Sequence, residues 1–143
     1  MKLTQFLFFL IFLISCSASD SDVPTDGPRG DTIHLSVKNV DCDYEEQAIS
    51  VSTKGWHWWF DEVDANGTLI EIRDSSYGLN PVVPYSFMQG WFSVLRDTKT
   101  TFLITLTENK TGNARKLDLV LQAYDFWDRV VITQRSQLSL IHI

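Results

Sequence analysis

Lys116-Leu117-Asp118-Leu119-Val120-Leu121-Gln122-Ala123 decides the fold class of this chain. Successive side chains of a strand point to opposite faces. Leu117, Leu119, Leu121 and Ala123 therefore share one face, and Lys116, Asp118 and Gln122 share the other. This is a strand with one side on a core. Upstream, Phe102, Ile104 and Leu106 alternate with Thr101, Thr105 and Thr107; downstream, Val130 and Ile132 lie in a last strand ending near Gln134. Ile49 and Val51 make an earlier run, and Ile33, Leu35 and Val37 open the domain. No window shows i, i+3, i+4 spacing over a helical length. Short strands throughout one small domain imply an all-β sandwich, two sheets with about seven strands by analogy with that fold.

The turns agree. Asn66-Gly67 sits between Trp56–Asp64 and Thr68–Arg73, and Asn-Gly suits a type I′ hairpin, where both central residues need positive φ. Asn109 to Asn113, with Gly112 inside, joins two further alternating runs. From Asp74 to Gly90 the chain carries Gly78, Pro81, Pro84, Tyr77, Tyr85 and Phe87 without clean alternation. That stretch reads as a long loop, of the kind that is usually functional or partly disordered.

The amino terminus reads as a targeting signal. Lys2 supplies a short positive region, and Phe6 to Ile14 are unbroken apolar residues. This run is well short of the roughly 18–20 residues that span a bilayer and has the length of a signal-peptide core. It ends in Leu13-Ile14-Ser15-Cys16, which resembles the lipobox of bacterial lipoproteins; the alternative is an ordinary signal peptide cut near Ala18. The lipobox reading makes residues 1–15 the leader and Cys16 the lipidated residue. Several acyl chains would then anchor the chain to a membrane without spanning it. Residues 16–30, rich in Ser, Asp, Pro and Gly, follow as an acidic tether, and residues 31–143 form the domain. Asp20, Asp22 and Asp26 resemble the export signals of surface lipoproteins, so the expected location is the outer membrane, facing outward. With Cys16 acylated, Cys42 is left without an intramolecular partner and reads as a small buried hydrophobe rather than as a reactive thiol or an intermolecular disulfide.

Loss of Lys2 with the leader takes the formal charge from −6 to −7. An acidic chain is poorly suited to nucleic acid, which demands a basic surface, and to direct adhesion to anionic lipid. No metal site is implied by His34, His57 and His142, which lack ligand spacing. No cofactor is implied either, because the chain has no phosphate-binding glycine loop. Asp61, Glu62 and Asp64 crowd one strand and read as a solvated edge rather than as glycosidase carboxylates. Calcium at the Asp-rich strand ends lacks the ligand periodicity that would identify it. No nucleophile–base set is present, so the expectation is a protein that is not an enzyme.

Two segments carry a family resemblance. Trp91-Phe92-Ser93-Val94, Phe102-Leu103-Ile104-Thr105-Leu106, the turn Asn109-Lys110-Thr111-Gly112-Asn113-Ala114-Arg115 and Val131-Ile132-Thr133-Gln134 resemble the C-terminal half of BACON domains (Bacteroidetes-associated carbohydrate-binding, often N-terminal). Asn109, Thr111, Gly112 and Arg115 match that family's turn, and Gln134 matches its closing residue. Ile49 to Ser52, followed by Gly55-Trp56, fits the first half more loosely. The resemblance covers about Asp31 to Arg135, with Trp56 and Trp91 as the family's structural tryptophans. It implies an immunoglobulin-like sandwich and a role near glycan use at the cell surface. The chain departs from the family in its long interval from Trp56 to Trp91 and in having no adjoining glycan-processing domain.

Trp56-His57-Trp58-Trp59-Phe60 is the most unusual string. On a continuous strand Trp56, Trp58 and Phe60 face the core, while His57, Trp59 and Asp61 face away. An outward Trp59, flanked by His57 and Asp61 and approached by Tyr77 or Tyr85, has the composition of a sugar-stacking site; the alternative buries Trp59 beneath the long loop. Trp127, beside Phe126 in an expected turn, is a second surface candidate. Two functions stay open at this point. One is a glycan-binding surface lipoprotein that uses these aromatics. The other is a structural module docking to an outer-membrane protein partner through a strand edge or the apolar tail Leu138 to Ile143.

Overall fold

A computed structural model describes residues 33–72 and 81–137, together with the backbone of strand β1. The described chain is all β. Its strands are β1 (Cys16–Ser19), β2 (Asn39–Cys42), β3 (Gln47–Ser52), β4 (Trp59–Ala65), β5 (Thr68–Ile70), β6 (Tyr85–Gln89), β7 (Phe92–Thr98), β8 (Thr101–Leu106), β9 (Arg115–Ala123) and β10 (Phe126–Gln134). They form a six-stranded sheet in the order β1-β2-β10-β9-β4-β5 and a four-stranded sheet in the order β3-β8-β7-β6. The central orders β10-β9-β4 and β3-β8-β7 are the G-F-C and B-E-D orders of an immunoglobulin sandwich. The short strands β1, β5 and β6 raise the number of strands above the expected seven or so.

The alternation on β9 does what its pattern requires. Leu117, Leu119, Leu121 and Ala123 are buried, and they meet Phe102, Ile104 and Leu106 of β8 and Phe92 and Val94 of β7 in one core. At about 25 cal/mol per Å² of apolar surface removed from water, this shared face is the main favourable term in folding. Asn66 (φ 55°) and Gly67 (φ 83°) both lie at positive φ between the paired Ala65 and Thr68, the type I′ turn expected there. The Gly67 N–H donates to Asp64 Oδ1 at 2.8 Å and closes the turn.

Five expectations need correction. The segment Ile33 to Val37 forms no strand, although Ile33 and Leu35 are buried. It lies against β3 through Ser36 N–H to Ser52 O (2.9 Å) and Lys54 N–H to Ile33 O (2.9 Å), and His34 at φ 38° breaks the ladder. Part of the expected Asp74–Gly90 loop is edge strand β6, where half-buried Tyr85 and Phe87 alternate with exposed Ser86 and Met88. Trp127 lies on β10 rather than in a turn; the turn is Tyr124-Asp125. Cys16–Ser19, at the head of the expected tether, pairs with β2. Finally, Cys42 is buried as expected but disulfide-bonded, and its cross-strand backbone partner is Cys16, the other cysteine of the chain. Tyr77 and the tail 138–143 lie outside the described residues.

Candidate functional site

The expected run of alternation from Trp56 to Asp61 is broken twice. First, β4 starts only at Trp59. Trp56 and His57 precede it in a tight bend closed by Trp58 N–H to Trp56 O (3.0 Å), with their rings stacked at 3.5 Å. Trp56 is therefore half-buried rather than a core residue, and Trp58 takes the core position. Second, a β-bulge between Phe60 and Glu62 makes Asp61 an extra, exposed residue. The bulge keeps Phe60, Val63 and Ala65 on the buried side in spite of their uneven spacing. Trp59 then falls on the outer face of the six-stranded sheet, opposite Gln122 of β9.

Gln122 in turn pairs with Trp127 of β10. Trp127, Gln122 and Trp59 therefore form one row across three adjacent strands on the outer face. Neighbouring strands stand about 4.8 Å apart, so the row extends roughly 10 Å. The two tryptophans are not equivalent. Trp59 is 6% exposed, with Tyr124 packed edge-on against it at 6.2 Å, whereas Trp127 is 58% exposed. Burial is the correct alternative for Trp59, and the open ring is Trp127.

Tyr124 is the site residue that sequence reasoning missed. It is the first central residue of the two-residue β9–β10 hairpin, has φ 54° and is 57% exposed. A positive φ there is the place of a type II′ turn where glycine is favoured. Holding a non-glycine residue in this region costs about 1–2 kcal/mol. The surroundings fix it: Gln122 Nε2 donates to the Tyr124 carbonyl at 2.9 Å, the Trp59 ring meets its edge, and His57 lies 6.4 Å away. Bulky residues held in such conformations are characteristic of functional sites.

Arg96 positions the approach to the row. It occupies an inward register position on β7 and is fully buried. Its Nη1 donates to Trp58 O at 2.7 Å, and its Nη2 donates to Trp56 O at 2.9 Å and Lys99 O at 2.7 Å. The guanidinium lies over the Trp58 ring at 3.4 Å from the centroid. The Trp58 indole N–H donates to Thr53 Oγ1 at 2.9 Å. The bend before β4 is thus tied down from both sides.

The remaining candidates separate. Tyr85 belongs to the other sheet and packs among Phe60 and Phe87, away from the row. His57 contacts Tyr124 and Trp56, which places it at the margin of the row. The family-like turn is at the opposite end of the β9–β10 hairpin, where Arg115 pairs with Gln134, and its contacts are those of a structural clasp. Buried Asn109 donates through Nδ2 to Asn113 O (2.9 Å) and Arg135 O (3.1 Å) and accepts from Thr111 N–H (3.1 Å). Buried Gln134 donates through Nε2 to the carbonyls of Tyr44, Glu45 and Thr107. Arg115 reaches Gln134 Oε1 and lies 5.2 Å from the Trp91 ring centroid, and its partial burial lowers its pKa from the ordinary value. Ser136 Oγ–H donates to Thr111 O. Gly112 is exposed and not at positive φ, so the turn conformation does not demand glycine there.

On the outer face beside the row Arg129 Nη1 pairs with Asp118 Oδ2 at 3.4 Å, and on the other face of β10 Lys38 Nζ pairs with Asp128 Oδ1 at 3.3 Å. Among the described residues no group of three or more His, Cys, Asp or Glu is placed to hold a metal ion.

No family model matches the chain, and no curated protein matches it. Among solved structures, it is similar to the NMR structure of a protein from Bacteroides thetaiotaomicron. The TM-score is 0.55 at 18% identity, over 85% of this chain and 87% of the other. At that identity the likeness speaks for the fold alone.

Proposed function

We propose that this chain is a non-catalytic, carbohydrate-associated module, BACON-like in its sandwich and clasp, that stacks a sugar ring on Trp127. In this reading lipid on Cys16, in place of a disulfide to Cys42, holds it at the outer membrane facing the exterior. The observation that carries the binding reading is the row Trp127–Gln122–Trp59, with one ring open, one ring buried beneath Tyr124 and an amide between them. An open indole offers a flat apolar surface, and the adjoining amide can exchange hydrogen bonds with hydroxyls. The test is a glycan array probed with the wild-type chain and with Trp127→Ala. Selective binding that vanishes in a variant of unchanged melting temperature supports the reading; a blank array from folded protein removes it.

A second reading, docking to an outer-membrane protein partner, is favoured by one observation. Strand β6 is a sheet edge, and its Met88 is 75% exposed on the same face as exposed Leu95 of β7. An exposed edge of this kind is open to strand addition. Co-purification from membranes that is lost in Met88→Lys, with the array blank, would establish docking in place of glycan binding.

A further inference from the structure

We propose that the ligand of this site is an uncharged glycan, laid across the rings of Tyr124 and Trp127, and that glycans bearing uronate or sulfate groups are rejected. The inference rests on the stacking reading above and adds the second ring and the charge class.

Tyr124 and Trp127 are the two exposed aromatics at this end of the β9–β10 hairpin. The Tyr124 backbone sits where glycine would be easier, yet the residue is a large aromatic that is 57% exposed. An exposed ring on a backbone fixed by Gln122 and Trp59 is a preorganised contact, and rigid aromatic contacts lower the ordering cost of binding.

The charges at the rim then choose among sugars. Asp125 follows Tyr124 in the turn and is exposed. Glu62 lies one row along from Trp59 on the same outer face, opposite Val120, and is exposed too. Two residues along a strand advance about 7 Å, which is within the Debye length of about 8 Å at physiological salt. Beside the row on the outer face, Arg129 is held by Asp118. Lys99 lies at the Trp56 ring, with the His57 ring stacked between Trp56 and the Tyr124 side. An anionic sugar would meet like charge at Asp125 and Glu62, whereas a neutral sugar needs only ring faces and hydrogen bonds.

The experiment is affinity electrophoresis of the full chain through gels containing single polysaccharides. The neutral panel is β-glucan, α-glucan, mannan and xylan; the acidic panel is polygalacturonate and chondroitin sulfate. The variants are Tyr124→Gly, Trp127→Ala and the double variant Glu62→Gln/Asp125→Asn. The expected result is retardation by at least one neutral polysaccharide, weakened at least tenfold in Tyr124→Gly and in Trp127→Ala, with no retardation by the acidic panel. The double variant keeps neutral binding and admits acidic polysaccharide. Retardation of wild type by an acidic polysaccharide, lost in Trp127→Ala, overturns the charge class and leaves the stacking reading standing. Neutral binding that depends on Trp127 but is unchanged in Tyr124→Gly overturns the two-ring arrangement. No retardation by either panel overturns both this inference and the stacking reading.

Discussion

The guanidinium of Arg96 lies over the ring of Trp58, 3.4 Å from its centroid, while its Nη1 donates to the carbonyl of the same residue at 2.7 Å. One side chain therefore fixes both the ring and the backbone of the residue that leads into β4. Removing it leaves the carbonyls of Trp56, Trp58 and Lys99 without this donor in a partly dry site. Each unsatisfied buried group costs about 1–3 kcal/mol. Arg96→Met should destabilise the fold by about 3–5 kcal/mol in urea unfolding. Arg96→Lys should recover less than half of that, because an ammonium cannot form the planar fork. Full recovery by lysine would mean that charge alone, and not the fork, holds the bend.

At the other end of the sandwich the clasp makes a separate demand. Gln134→Leu keeps the volume but withdraws the donor shared by Tyr44, Glu45 and Thr107. Asn109→Ala withdraws the ties to Asn113 and Arg135. Each should cost about 2–3 kcal/mol, equivalent to a fall in melting temperature of about 10 °C or more. The double variant should cost less than the sum, because the two side chains secure one chain reversal. Gly112→Ala should stay within about 0.5 kcal/mol of wild type, since its backbone is in an ordinary region. A large loss at Gly112 would show that the turn needs glycine after all.

The sandwich could be read from sequence where alternation is regular, as on β8 and β9, and where Asn66-Gly67 names its own turn type. Reading failed where one residue shifted the phase. Nothing about Asp61 marks it as a bulge, yet the bulge determines that Phe60 and Val63 share a face, and the bend before β4 takes Trp56 out of the alternation assumed for the tryptophans. Pro81 and Pro84 hid β6, because proline depresses strand expectation while edge strands tolerate it. Tyr124 carries no signal, since a tyrosine, unlike Asn or Gly, does not announce a left-handed backbone. Arg96 did leave one: it falls in phase with Phe92 and Val94, so an arginine stands at an inward position.

Trp59 and Trp127 share a row but should respond oppositely to truncation. Trp59 is 6% exposed and braced by Tyr124, so Trp59→Ala should cost about 3–5 kcal/mol, the range for large aromatics removed from packed sites. Trp127 is 58% exposed, and Trp127→Ala should change stability by about 0.5 kcal/mol or less. Thermal unfolding of the two variants side by side decides it. If Trp59→Ala melts like wild type, its ring is available to ligand and the site is wider than Trp127 and Tyr124.

The two cysteines allow a test of the proposed anchor that needs no glycan. Cys42 is disulfide-bonded and faces Cys16 across the β1–β2 ladder. Acylation as a thioether uses both bonds of the Cys16 sulfur and leaves none for a disulfide. The two states exclude one another, so a lipoprotein must carry Cys42 as a free, buried thiol. Protein extracted from membranes, denatured without reductant and treated with iodoacetamide, should gain one carbamidomethyl group at Cys42 and show acyl mass on Cys16. Chain that takes up no label until reductant is added, and that lacks acyl mass, has kept the disulfide instead. That outcome would remove the lipid anchor and leave β1 as a covalently fastened edge strand.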